Sequence, residues 1–503
     1  MNWLDKLIEP FAPEAVLGRI RHREAIKAYE ASRSTRTHKV KGVKGSGNVQ
    51  VGAGAVPLRE QARRLDEDHD IAHGLLDTLV KYVIGPQGIA VEPQPRLLDG
   101  SLAAEFARQL TELWEDFSEF PEVTHEFDRV HSEQLVARTW LRDGECFGQL
   151  VSGRNPSLDH RSRVPLSIEL LEPDFVPLDY DDAAKGIKQG IQRDAWGRAT
   201  TYWVYREHPG ELSYFSRPDL KPIATGRMLH LKQVHRLHQG RGVSVFAPVL
   251  IRLSDLKEYE ESERIAARVA AAMTAYIKKG SPDSYRGAGP LGDGADSAPQ
   301  QRRFAMSPGM IFDDLQPGEE VGTIESNRPS ILLQPFRDAM LRATAAGTGT
   351  TFSNLARVFD GSYSAQRQEL VDGYLGYQML TSVFVGSWSR PIYREFVQMA
   401  IASGQVKLPP DLDINSLFNA MFQGPSMLWI DPYKEAKASE TLRGAGFEST
   451  SNIVRARGRN PDAVRAQIVK EEAANREDGI SFTTSAQDTN TNGGVDDHAL
   501  NEK

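Results

Sequence analysis

The stretch PLREQARRLDEDHDIAHGLLDTLVKYVIG, beginning at Pro57, carries apolar residues at Leu65, Ala72, Leu75, Leu76, Leu79, Val80 and Val83. Spacings of three and four put them on one face of a helix, which Gly85-Pro86 should stop. A second helical window covers Ala103 to Phe117. Between Cys146 and Tyr205 the period changes to that of strands, in ECFGQLVSG, PLSIELLEPDFVPL and IKQGIQRDAWGRATTYWVYRE. The last predicts a hairpin turning near Ala195-Trp196-Gly197, flanked by β-branched and alternating positions. Ahead of these elements, GVKGSGNVQVGAGAVP is Gly-rich and aperiodic and reads as a linker.

A longer apolar stripe follows, with Leu253, Leu256, Tyr259, Ile265, Val269, Met273, Tyr276 and Ile277. Taken from Pro248 to Lys279, it predicts one helix of roughly 48 Å. Acids crowd its first half (Asp255, Glu258, Glu260, Glu261, Glu263) and Lys278-Lys279 close it, as the helix dipole favours. Alanines at 266, 267, 270, 271, 272 and 275 leave room for close neighbours. Residues 281–330 hold seven Gly and six Pro with short strand-like pieces, a small β-rich excursion. Helical periodicity resumes in SILLQPFRDAMLRATAA, breaks at GTGTTFSNLARVFDGSYS, and returns as a second long helix from Ala365 to Ser403 with a kink expected at Pro391. A helical region surrounds DPYKEAKASETLRGAGFESTSNIVRARGRNPDAVRAQIVKEEAANRE, and the polar tail after Asp478 reads as disordered.

With 503 residues, 25% charged and 40% hydrophobic, the chain is long enough for two or three folded domains. Its single cysteine, Cys146, makes no internal disulfide, which fits a reducing compartment. No apolar run approaches a membrane span, and the acids and prolines of the first two dozen residues do not suit a signal peptide. Between Arg19 and Lys44 nine Lys or Arg face two Glu, a surplus of seven positive charges on a chain of net charge −8. The remainder therefore carries −15, an acidic body that argues against general, tight DNA binding.

Catalytic constellations are weak or missing. No GxxxxGK[ST] phosphate loop or G-x-S-x-G elbow occurs. His230, His235 and His238 stand at spacings that fit no helical zinc site and read as surface or loop histidines. Glu172, Asp174, Asp179, Asp181 and Asp182 offer carboxylates for a two-metal nuclease, but the first D-x-K triplet downstream, Asp219-Leu220-Lys221, lies beyond the hairpin; turn-forming acids are the better reading. RDGE, from Arg142 to Glu145, reads as a tight turn into a strand. No metal or cofactor is expected.

Several stations in order carry a resemblance: REQARRLDEDHDIAHGLLDTLVKYVIGPQGI, RTWLRDGECFGQL, GIQRDAWGRATTYWVY, LHQGRGVSVFAPVL, MSPGMIFDDLQPGEEV, GSYSAQRQEL and DPYKEAKA. Together, from Val56 to Arg476, they resemble the portal proteins of tailed bacteriophages in the branch typified by phage lambda. Asp66-Glu67-Asp68 departs from the more basic or amide-rich helix start expected there.

The resemblance implies an α+β portal fold and a ring-forming, non-enzymatic protein at one capsid vertex of the virion, assembled in the host cytoplasm. The ring is commonly a dodecamer, with double-stranded DNA in its axial channel. It implies a basic arm and linker (1–55), a wing (56–245), a stem helix (246–280), a clip (281–330), a second stem helix (331–350), a tunnel loop (351–363), a long wing helix with following helices (364–428), a crown-like helical region (429–476) and a tail (477–503). Tunnel-loop residues would be Ser353, Asn354, Leu355, Ala356, Arg357, Val358, Phe359, Asp360, Gly361, Ser362 and Tyr363. Arg337, Arg342, Arg357 and Asn354 are the candidates for meeting DNA, with intersubunit salt bridges as the competing role of the arginines. Stem packing would fall to Glu260, Glu263, Arg264, Ala267, Arg268 and Ala271. Pro308, Gly309, Asp313, Asp314, Pro317, Gly318 and Glu319 would form the clip that docks the terminase large subunit and later the head-tail connectors; capsid and scaffold proteins are the other partners. About twelve helices, each roughly 10 Å across, standing in a circle leave an opening of about 28 Å, room for a DNA duplex. The alternatives are a metal-dependent nuclease built on the 172–182 acids and a DNA-binding adaptor working through the basic arm.

Overall fold

The computed structural model describes residues 45–211, 219–271, 275–279, 319–323, 332–427 and 431–480. Helix α1 (Gly47–Asp68) runs through the stretch expected to be a linker. Its glycines and Pro57 are poor helix formers, but Ser46 caps the first turn, and Val51, Ala55, Arg59, Ala62 and Leu65 make a buried stripe too small-sided to register as a periodic signal. At His69 the chain turns into α2 (Asp70–Val83), which buries Ile71, Ala72, Leu75, Leu76, Leu79 and Val83 as its periodicity predicts. Gly85, with φ +75, ends it.

Strand β1 (Ala90–Pro93) and helix α3 (Ala104–Glu119) follow; α3 buries Phe106, Leu110, Leu113, Trp114 and Phe117. Helix α4 (Arg129–Asp143), which periodicity did not predict, is capped by Asp128 and stops at Gly144 in the left-handed region. From there the chain enters β2 (Glu145–Ser152), so RDGE is a helix-to-strand turn. An antiparallel sheet in the order β3 (Leu166–Leu171), β2, β8 (Met228–Lys232) backs the helices. A four-stranded meander, β4 (Ile187–Lys188), β5 (Ile191–Arg193), β6 (Ala199–Tyr205) and β7 (Leu220–Ala224), contains the expected hairpin, its turn running from Asp194 to Arg198. Phe147, Leu171, Ile191, Tyr202, Val204, Ile223 and Met228 form a second core between the sheets.

Helix α5 (Leu250–Ala271) is shorter than expected. Its 22 residues span roughly 33 Å. Ala275–Lys279 instead forms strand β9, paired antiparallel with β10 (Glu319–Thr323). Tyr276 and Ile277 thus belong to a strand, where β-branched and aromatic residues fit and a cross-strand partner supplies backbone hydrogen bonds. Of the clip residues only Glu319, opposite Lys279, lies among the described residues; Pro308, Gly309, Asp313, Asp314, Pro317 and Gly318 lie outside them, as do the basic arm and the tail beyond Ile480.

Helix α6 (Leu333–Thr348) packs on α5, and the single-turn α7 (Phe352–Ala356) leads to α8 (Tyr363–Phe384). The break expected at Pro391 is a π-helical turn, Val385–Ser389, directly ahead of α9 (Arg390–Ala402). The wide turn drops Trp388 into the core, where Gly148 makes room: a Cβ at 148 would stand 2.6 Å from the indole. Strand β11 (Ala420–Gln423) pairs with β1, and α10 (Pro432–Gly444), α11 (Thr450–Arg455) and α12 (Pro461–Asp478) complete the described chain.

Candidate functional site

Helices α5 and α6 form a pair closed by small and aromatic contacts. Tyr259 and Phe336 place their rings 4.7 Å apart, and Gly347 lets α6 approach Val249, since a Cβ there would lie 2.6 Å from its Cγ1. Thr344 and Thr348 turn their hydroxyls back to the carbonyls of Met340 and Thr344, so these buried polar groups are satisfied within α6. The pair is tied to the α1–α2 junction by Lys257 Nζ, which donates to the carbonyl of Asp68 at 2.6 Å, and by His69 Nε2 at 3.0 Å from the carbonyl of Leu253.

Against this frame the candidate DNA contacts separate. Arg337 donates to Glu260 at 2.7 Å, a half-exposed ion pair within its own chain between α6 and α5. Arg342 lies exposed on α6 with its guanidinium 4.7 Å from the centre of the Phe352 ring. Asn354 is buried in α7, where its N–H donates to Thr351 Oγ1. Arg357 is exposed and takes φ +55, turning the chain out of α7. The expected tunnel loop is thus helical from Ser353 to Ala356; Arg357, Phe359, Asp360, Gly361 and Ser362 are exposed, Val358 half-buried, and Tyr363 opens α8.

The stem-packing candidates separate as well. Glu263 is buried, Ala267 half-buried, and Arg264 and Arg268 are exposed, Arg264 lying 3.8 Å from Glu261. Ala271 closes the last turn of α5.

The acids from 172 to 182 divide by role. Asp181 and Asp182 accept from the backbone N–H groups of Gln189 and of Ala184 and Lys185, as turn-forming acids do. Asp174 accepts from both Arg59 and Arg63, and Glu172 lies within 3.4 Å of Arg63 and 3.9 Å of Arg142. Burial alone would raise the Asp174 carboxyl, but the two arginines outweigh it and hold the group below its usual range. Glu172, Asp174 and His208 bring their ligand atoms within 4.8 Å of one another. The arginines already neutralise these carboxylates and repel a second cation. Asp219 and Lys221 pair elsewhere, with Arg206 and Glu169.

A buried ion hub escaped the sequence reading. Glu145, fully buried at the head of β2, accepts from Arg241 Nε at 2.9 Å, Arg59 Nη2 at 3.3 Å, His230 Nε2 at 3.0 Å and the Gly242 N–H at 2.9 Å. Arg241, also fully buried, brings Nη2 within 2.7 Å of Glu145 as well and donates to the carbonyls of Gln189, Val176 and Pro173. His230, expected at the surface, is buried and stacked 4.3 Å from the Phe147 ring. Burial first, then Lys232 and Arg241, push its pKa down to about 4 against the pull of Glu145. Burial works to raise the Glu145 carboxyl, but Arg241 and His230 prevail and hold it far below the carboxylate range. The hub joins α1, β2, β8 and the loop of the LHQGRGVS station. A charged residue opening a strand, RDGE followed by CFGQL, was the one signal available.

Phage proteins align with most of the chain. It is 24% identical to the probable portal protein of Halomonas phage phiHAP-1, over 82% of this chain and 79% of that one. With portal protein B of Escherichia phage lambda the identity is 23%, over 75% of each. Among solved structures, the neck of a native gene transfer agent particle computed with C12 symmetry aligns at a TM-score of 0.46 and 12% identity, covering 80% of this chain and 92% of that one. The family described as phage portal protein, lambda family, matches residues 33–380. The chain therefore belongs to the lambda family of phage portal proteins, structural proteins of the tailed-phage virion.

Proposed function

We propose that about twelve copies of this chain form a ring at the capsid vertex, with α5 and α6 lining an axial channel for double-stranded DNA. The observation that carries this reading is the outer face of α8. Val371, Leu375, Met379 and Val383 recur every four residues and are exposed, Met379 to 73%, while Gly373, Tyr377 and Phe384 are buried on the other side. A helix apolar on both sides belongs in an interior, and a single copy covers only one side. The stripe carries no cation, so it suits protein and not phosphate. Helices α10 and α11 bury no residue and α12 buries only Pro461, which supports a crown that packs between copies.

In this reading Arg342, on α6 over the Phe352 ring, and Arg357, just past the end of α7, are exposed cations for passing DNA, and Arg337 braces the stem through Glu260. The excursion that β9 and β10 begin docks the terminase large subunit during packaging and connector proteins afterwards; capsid and scaffold proteins meet the wing. Electron microscopy of the purified protein is expected to show annuli. The double variant Leu375→Glu/Met379→Glu, both side chains pointing outward, is expected to keep its circular dichroism spectrum and lose the annulus. Rings of normal yield from that variant would overturn this account.

A further inference from the structure

The penultimate residue of the station GSYSAQRQEL has a side chain that the fold uses in an unexpected place. Glu369, half-buried in the second turn of α8, reaches across to α7. One carboxylate oxygen accepts the backbone N–H of Ser353 at 3.0 Å and the other accepts the Ser353 hydroxyl at 2.5 Å. Both bonds go to a charged acceptor and are among the stronger kind. One turn further along α8, Gly373 allows Thr351 to close in, since a Cβ at 373 would stand 2.5 Å from its Cγ2. A further turn on, Tyr377 is buried and stacked 4.9 Å from Tyr82, which anchors that face of α8 to α2. Positions 369, 373 and 377 therefore form one line of attachment. Glu369 is its outermost member and lies nearest the exposed segment.

A five-residue helix has too few internal hydrogen bonds to hold its own place. Leu355 buries in the core with Phe352 and Ala356 packed beside it, and the first turn of α7 is gripped by polar bonds: Thr351 caps it by accepting from Asn354, and Glu369 takes the N–H of Ser353. A cap from within the loop moves with the loop. The Glu369 fork comes from another helix and adds to the apolar packing of Leu355 a directional restraint on the rotation of α7 about its axis. That rotation decides where Arg357, at φ +55, sends the chain, and so where Arg357 and Phe359, 60% exposed, stand.

We infer that Glu369 is the positioning residue of the exposed segment Arg357 to Ser362, holding it in one posture through Ser353 and releasing it when the fork opens. The consequence for DNA rests on the channel reading above; the latch itself does not.

Limited trypsin digestion of the full-length assembled protein reads the latch directly, through the rate at which a new N-terminus at Val358 appears in mass spectra. For Glu369→Ala that rate is expected to rise on the order of tenfold or more, because two charge-assisted bonds are lost. Glu369→Gln keeps an acceptor for the Ser353 N–H and is expected to fall between it and wild type. Ser353→Ala, which loses only the hydroxyl bond, is expected to rise less than Glu369→Ala. Melting temperature and ring yield should not change. Equal cleavage after Arg357 in wild type and Glu369→Ala would overturn the inference, as would a uniform acceleration at every trypsin site, which marks general loosening. A separate arm places a thiol-reactive crosslinker on Arg357→Cys in DNA-filled particles. Failure to capture DNA there, with the proteolysis result intact, removes the channel reading and leaves the latch standing.

Discussion

Replacing Glu145 by Gln keeps the shape of the side chain and removes its charge. In the wild-type protein the carboxylate gathers donors from Arg241, Arg59, His230 and the Gly242 backbone, and neither it nor Arg241 is exposed at all. A Gln offers a single acceptor oxygen, and its amide group would face donors. Arg241 would then keep carbonyl partners at Gln189 and Val176 but no compensating anion among the groups it touches now. Removing one member of a buried, hydrogen-bonded ion pair costs about 3–5 kcal/mol. At about 2–4 °C per kcal/mol for a unit of about 150–250 residues, the melting temperature should drop by roughly 6–20 °C. Asp194→Asn removes the charge that meets Arg198, 79% exposed, while keeping an acceptor oxygen for the turn N–H groups of Trp196 and Arg198, and serves as the surface control, expected to shift the melting temperature far less. The assay is calorimetry or circular dichroism on the full-length protein, with the double variant Glu145→Gln/Arg241→Gln closing a thermodynamic cycle. The double variant should be more stable than the sum of the single effects predicts, by about 1 kcal/mol or more. A Glu145→Gln protein that melts with the Asp194→Asn control would refute the reasoning, since a buried cation would then have lost its counter-charge at no cost.

Other consequences are open to measurement. His230 in the unfolded chain titrates near 6.5 and in the folded chain near 4, so between these values the unfolded state binds the extra proton and stability falls as pH drops. Glu145, held low when folded, adds a loss that begins near pH 4.3 and continues downward. Melting temperature should therefore decline from pH 6.5 to 4.5, and His230→Gln should flatten that part of the profile; an unchanged slope would contradict the assignment. Gly144→Ala should severely destabilise the α4–β2 junction and lower the unfolding midpoint, because φ is +92 and the added Cβ would stand 2.4 Å from the Val243 carbonyl carbon. Gly148→Ala should cost about 1–3 kcal/mol by pressing on Trp388, visible as a shifted unfolding midpoint and altered tryptophan fluorescence.

Helices α2 and α3 were legible in the sequence because each buries one well-marked apolar face, and the 194–198 hairpin because its turn residues separate alternating strands. The second half of α1 was read as helix from Pro57, but its first half was not, because Val51 and Ala55 make a weak buried face and the glycines there argue locally for a linker. Neighbouring elements, including the Asn48 contact with Gln189, outweigh that local preference. The end of α5 failed for the opposite reason. Alanine-rich periodicity favours continuing the helix, yet a partner strand from 40 residues on in the chain takes Ala275–Lys279 into a sheet. Tertiary pairing decided between two conformations that local energies leave close together.

Order and spacing of stations were enough to place the chain among portal proteins, since family membership is written in many weak local signals that agree. The sites were not legible in the same way. Arg59 and Glu145 stand 86 positions apart, and Ser353 meets Glu369 only because a turn folds α8 back over α7. A charged residue's role depends on whether an opposite charge and burial reach it together, and that is a property of three-dimensional proximity. The sequence determined which segments would be helix or strand wherever one face was clearly apolar; the tertiary structure alone decided which charges were buried, which were paired, and which apolar face was left uncovered for a neighbour.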